Sequence, residues 1–376
     1  MSRGSVTIKL LPFMLALLLV SLVNLWTSGS TEVHVFKKGL TEALVIEGTN
    51  IMEFLKKSLQ QSLIYSYYQA SYEVAKNGGN LQSIPTWRNY SDTNYPSNFQ
   101  EILADRTRKI LNQYVVYLKE PSIALNEYQA VKIEKGNNGL ENVEAFSDKD
   151  LGVSKFNYEL KNSANVFVSI PVRTLALFEI GKQDFVDKDL ISSAIQAAES
   201  SLPSTCSRVS IPDYCETPPS CESYYSNNCQ VQFESGIRSQ ISTLEGTTDG
   251  INKELNVNEI KSTHIPQGPF ATADGQCCVS GHTEESCTDV CTGEGEARKC
   301  TTECSSVFVC DVSGTKYVNA YCEFKHVGSA SILAKISDAT NKYPVYDPVA
   351  NEVSINNLQL NFNVISSNDY SQKLIQ

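Results

Sequence analysis

Twelve cysteines and four histidines carry most of the chemistry this 376-residue chain can offer. The cysteines are Cys206, Cys215, Cys221, Cys229, Cys277, Cys278, Cys287, Cys291, Cys300, Cys304, Cys310 and Cys322. The 205 residues before Cys206 and the 54 after Cys322 contain none. An even count in an exported chain predicts six disulfides. Cys277 and Cys278 are adjacent, so their Cα atoms lie about 3.8 Å apart, below the usual disulfide window of roughly 4.4–6.8 Å. Separate partners are expected for them. The rival chemistry is a zinc site, the alternative cofactor, built on Cys287, Cys291, Cys300 and Cys304, since C-x3-C lies within the spacing zinc tolerates. His282 would be a further ligand. The leading expectation is no metal and no cofactor. No C-x-x-C occurs, so a thiol–disulfide exchange centre is not expected.

The histidines are His34, His264, His282 and His326, and no two lie within ten residues of each other. None forms H-E-x-x-H, and nucleophile-elbow, P-loop and dinucleotide-binding motifs are absent. No catalytic residue is assigned and the chain is expected not to be an enzyme. His326 follows Phe324 at a predicted strand end, a structural position. Residues 206–322 hold seven Lys/Arg against sixteen Asp/Glu, a net −9 within a chain total of −11. That balance excludes nucleic acid as a partner, because phosphate binding needs a basic surface. The acidity reads first as a solvated face. Calcium is second, held by Glu294 with Glu296 or by Asp184, Asp187 and Asp189, although no D-x-D-x-D-G loop occurs. Repulsion against self-association is third.

Export is read from the N-terminus. Leu10–Trp26 is apolar but for Pro12, Ser21 and Asn24; Arg3 and Lys9 precede it and Thr27-Ser28-Gly29-Ser30 follow. The order basic, apolar, small-polar is that of a signal peptide or a membrane anchor over residues 1–30. Either puts the remaining chain outside the cytoplasm. The expected location is the cell membrane, single pass with the ectodomain outside, or secreted. Arg3-Gly4-Ser5 resembles the processing site of archaeal type IV prepilins. That resemblance implies processing at Gly4 and Ser5 and retention of the apolar segment as a filament spine; Lys9 departs from the Glu usual there. Asn89-Tyr90-Ser91 is a glycosylation sequon with Asn89 as acceptor.

The elements that must position these groups follow from periodicity. Ile51, Leu55, Leu59, Leu63, Tyr67, Ala70 and Val74 predict one helix face between about Leu40 and Lys76, ended by Gly78-Gly79. Gly39 reads as a turn, and Gly48 weakens the first part of that helix. Residues 80–96 read as a loop. Ser97 with Gln100 predicts a capping box for a second helix with Phe99, Leu103, Ile110, Tyr114 and Leu118 inward. From about 126 to 180 the period is two, predicting strands that include Phe156, Tyr158 and Leu160, then Val166, Val168 and Ile170, then Leu175 and Leu177. A helix fits Lys188–Leu202, and another surrounds Val231, Ile237, Ile241 and Leu244. Strands resume through Val318–Phe324, Ile332–Ile336 and Leu358–Val364.

Cys287-x3-Cys291, eight residues, then Cys300-x3-Cys304, with Gly293 and Gly295 between, resembles disulfide-linked α-hairpins. The resemblance implies two facing helices joined by Cys287–Cys304 and Cys291–Cys300. Together these features predict an α+β fold with an N-terminal membrane or signal helix, long amphipathic helices, an antiparallel sheet and a disulfide-rich insert. The expected parts are 1–30, a helical and antiparallel-strand part 31–205, an acidic cysteine-rich insert 206–305, and C-terminal strands 306–376 completing the sheet. The expected function is an exported, membrane-anchored cell-surface protein with a structural, adhesive or pilin-like role. Its partners would be the membrane through the N-terminal helix, and other cell-surface proteins or copies of itself. The alternatives are an extracytoplasmic ligand- or metal-binding module and, third, an exported hydrolase.

Overall fold

A computed structural model of the chain describes residues 36–155, 158–292, 299–347 and 352–375. The leader, Gly4, Ser5, His34, Phe156, Glu294 and Glu296 lie outside the described residues, as do Gly293 and Gly295. Among the described residues no helix is long and apolar enough to cross a membrane.

The elements in chain order are α1 (Phe36–Lys76), β1 (Thr86–Asn89), β2 (Asp92–Thr93), α2 (Phe99–Leu118), β3 (Ile123–Ala124), β4 (Ala130–Lys135), β5 (Glu141–Phe146), β6 (Leu151–Lys155), β7 (Tyr158–Asn162) and β8 (Val166–Ile170). Then come α3 (Thr174–Gly181), α4 (Leu190–Ser200), α5 (Ser204–Ser207), β9 (Arg208–Ser210), β10 (Tyr214–Cys215), α6 (Asn227–Ser242), β11 (Gly246–Thr248), β12 (Ile251–Thr292), β13 (Lys299–Asp347) and β14 (Glu352–Ser367). The fold is mixed α+β with a large, mainly antiparallel sheet. The chain forms two compact units. The first holds residues up to Ile191, Ile241–Glu259 and Ala330–Ser366; the second holds Ser192–Gln240, Ile260–Ser329 and Ser367–Gln376. Residues 241–259, inside the expected insert, thus belong to the first unit, and 306–329 belong to the second.

In the first unit, α1 buries Leu55, Leu59, Leu63, Tyr67, Ala70 and Val74 at steps of three and four. It runs unbroken through Gly39 and Gly48 instead of starting after them. Gly48 allows close approach, because a Cβ there would sit 2.5 Å from the Leu160 side chain. The helix ends in a Schellman motif: the Gly79 N–H donates to Val74 O (2.8 Å) and the Gly78 N–H to Ala75 O (2.9 Å), with Gly78 at φ +60°.

Three expectations are corrected in this unit. Residues 80–96 hold the short hairpin β1–β2, and β1 pairs in parallel with β14 (Arg88↔Val364). Trp87 on β1 is buried and stacks on Phe362 at 3.8 Å, which anchors the hairpin. No capping box forms at α2; Asn98 is the N-cap without a side-chain bond, and the Gln100 amide donates instead to Ile133 O at 2.6 Å. Leu111 and Val115 turn inward while Tyr114 is exposed. Finally, Leu175 and Leu177 lie on a helix, α3, not a strand. Pro171 follows β8 and lacks the N–H that a ladder needs, which ends the strand there. The sheets β4–β5–β8 and β3–β6–β7 are antiparallel.

In the second unit, α4 and α6 meet β13 at Gly328. A Cβ there would lie 2.8 Å from Ile237, 3.1 Å from Ile195 and 3.1 Å from Phe233. β9 and β10 pair antiparallel with β13. One face of that sheet carries a small core of Ile211, Cys221, Ala320, Cys322 and Phe324.

Candidate functional site

All five described disulfides lie in the second unit. No described cysteine is free, and Cys291 is also disulfide-bonded. The side chain of Cys300 lies outside the described residues. This complement of disulfides assigns the chain to an oxidising, extracytoplasmic environment. Two of the bridges are interior. Cys206–Cys229 and Cys221–Cys322 join buried sulfurs inside the core. The others staple a ribbon. Cys215–Cys277 ties β10 to β12, while Cys278–Cys310 and Cys287–Cys304 tie β12 to β13. The neighbours Cys277 and Cys278 therefore take different partners.

The ribbon is antiparallel. Ser305 donates to Ser286 O, Thr302 to Asp289 and Thr301 to Val290 O, so one strand's numbers fall as the other's rise. This corrects the helical expectation for the C-x3-C steps: Cys287 and Cys304 are joined, but across paired strands. Thr, Val and Phe crowd this stretch, and these residues suit a pleated surface. Of the four cysteines of the zinc alternative, Cys287, Cys291 and Cys304 are disulfide-bonded in this structure.

Nearly every residue from His282 to Val290 and from Thr301 to Val312 is exposed. Both ribbon faces are therefore wet, and a two-stranded ribbon is marginal without help. Each disulfide typically supplies about 2–4 kcal/mol. The exposed surface is apolar and acidic together. Phe308 is 62% exposed, and Val279, Val290, Val307 and Val312 are exposed elsewhere along the two strands. The Phe308 ring lies over Gly281, where a Cβ would approach it to 2.6 Å. His282 sits between Asp311 (2.9 Å) and Glu284 (3.1 Å), and these carboxylates, Asp311 foremost, hold its pKa above the ordinary value.

The remaining expected site residues are dispersed. Asp184 pairs with Lys253 at 3.1 Å, Asp187 with Lys182 at 3.8 Å and Asp189 with Arg88 at 2.9 Å. Each of these carboxylates thus faces a cation. Asn89 is exposed at the end of β1. His326 is buried, with Nε2 3.1 Å from Cys206 O and Nδ1 3.5 Å from the Tyr225 hydroxyl. His264 stacks on Tyr225 and meets Glu222 at 2.9 Å. Among the described residues no three His, Cys, Asp or Glu side chains gather as a metal-binding group.

Sequence reasoning missed Glu141. It is only 3% exposed and accepts from the Tyr67 hydroxyl and, at 2.6 Å, from the Leu175 N–H at the start of α3. Burial pushes its pKa up to about 7, although those hydrogen bonds pull it down. The signal was present, since Glu141 falls at a spacing of two from Val143 and Ala145 and so shares their inward face.

No protein-family model, curated protein or solved structure matches the chain.

Proposed function

We propose that this chain is an exported cell-surface protein, held in the membrane by Leu10–Trp26, with a structural or adhesive role and no catalytic step. The observation that carries this reading is the stapled ribbon. Its disulfides suit an oxidising exterior, and it presents the exposed ring of Phe308 to solvent, a large apolar side chain available to a partner. The acidic rim of Glu284, Glu285, Asp289, Glu303 and Asp311 favours a cationic counterpart and repels a second copy of itself. Retention of the leader gives the anchor; its removal would give a secreted form of the same ectodomain.

The test is fractionation of cells expressing the full chain, combined with thiol alkylation and intact-mass analysis. Expected are recovery in the membrane fraction, cleavage of the ectodomain by protease added outside, and alkylation only after reduction. A soluble cytosolic chain with alkylatable thiols would overturn the proposal. Intact mass reports separately whether processing falls after Gly4, near Ser30 or nowhere.

A further inference from the structure

The unit-two sheet has a second face, opposite its small core. Strand register puts Tyr321 beside Ser210, and Glu323 beside Arg208. Around Tyr321 an open depression of about 430 Å³ is lined by Pro269, Phe270, Ala271, Thr272, Asn319 and Tyr321, with Ala271 also packing against the small core. Its size falls within the roughly 300–1,000 Å³ of small-molecule sites. Phe270 is 41% exposed and its ring lies 5.3 Å from that of Tyr321, tilted by 30°. The Arg208 guanidinium lies 3.4 Å over the Tyr321 ring, so one tyrosine face is covered and the ring is held.

Two unusual backbone positions frame the aromatic pair. Gly268 has φ +99°, and a Cβ there would lie 2.9 Å from the Phe270 ring, so only glycine lets that ring settle against the chain. Asn319 has φ +55° inside β13, a conformation uncommon for a residue with a side chain. Such conformations concentrate at ligand sites.

We infer that this depression binds a neutral oligosaccharide, with the exposed Phe270 ring as the stacking surface for a sugar ring and Tyr321, clamped by Arg208, backing it. The flat apolar faces of pyranose rings match exposed aromatic rings. The Asn319 amide and the Thr272 hydroxyl both donate and accept, as ring hydroxyls require. Arg208 is offset by Glu323 opposite it, and the surrounding segment is acidic, so an anionic polymer is disfavoured. The site goes beyond the anchored cell-surface reading and would serve a secreted chain equally.

Saturation-transfer NMR and titration calorimetry on the full chain, using cellopentaose, mannopentaose and chitotriose, test it. At least one sugar should bind, with affinity about tenfold weaker in Phe270→Ala and in Asn319→Gly. Asn319→Gly keeps the left-handed backbone and removes only the amide. Phe270→Tyr should retain binding, and Phe308→Ala, on the ribbon, should leave it unchanged. The assignment is overturned if none of the sugars binds, if the Phe270 and Asn319 variants bind like the parent, or if a polyproline peptide occupies the depression and the sugars do not. Fractionation is an independent readout, so a cytosolic chain and a chain without sugar binding are separate failures.

Discussion

Two titratable residues sit in opposite environments. Glu141 is buried, accepts hydrogen bonds and has Tyr67, not a cation, as its side-chain partner. Its folded pKa of about 7 lies above the ordinary 4.5, so the folded state binds the proton more tightly. The stability this contributes is complete below the unfolded value and is lost as pH rises through the folded one. The first unit should therefore lose about 3 kcal/mol between roughly pH 4.5 and 7. Glu141→Gln should flatten that dependence, as urea denaturation at acid and alkaline pH will show. His282 is exposed, and its upward shift comes from Asp311 and then Glu284. Asp311→Asn should lower its NMR titration midpoint, while an unchanged midpoint would mean that the pair does not persist in solution.

Elements were legible wherever one periodicity ran long enough. The Leu55–Val74 face of α1 and its Gly78-Gly79 stop are physical consequences of a four-residue step and a left-handed cap. Gly78→Ala combines positive φ with a Cβ 2.4 Å from Asn361 O. It should cost about 1–3 kcal/mol in thermal or urea unfolding. Short elements were illegible, because β1 and β2 are set by pairing with β14 and by burial of Trp87. The turn Asp249-Gly250 that joins β11 to β12 was readable, with φ +52° and +76°, but was not predicted. The C-x3-C steps fit helix and strand alike, since four residues return to the same face in either. The two kinds of disulfide should also differ in effect. Replacing Cys287 and Cys304 by serine removes one rung with separation 17, and should open protease sites in the ribbon while the core persists. Replacing Cys221 and Cys322 removes a buried bridge with separation 101, and should unfold the second unit's core.

At the scale of the molecule, every described disulfide falls in one unit and none in the other. Reductant should lower the melting transition of the second unit and leave that of the first largely in place. Trp87 fluorescence follows the first unit, and resistance of residues 260–329 to protease as temperature rises follows the second. Equal shifts in both signals would show that the units melt as one.

The cysteine and charge partition, the export layout and the absence of local catalytic motifs were determined by the sequence alone, because composition and short motifs need no partner. The α+β class was readable for the same reason, as periods of two and 3.6 are local. Tertiary structure decided the rest. It chose strand over helix at Cys287–Cys304, turned Asp184, Asp187 and Asp189 toward cations, buried Glu141 and brought Phe270 beside Tyr321, 51 residues apart in sequence. Each of these depends on which distant backbone lies alongside. That choice is made by burial and pairing summed over the whole chain, not by any local run of residues.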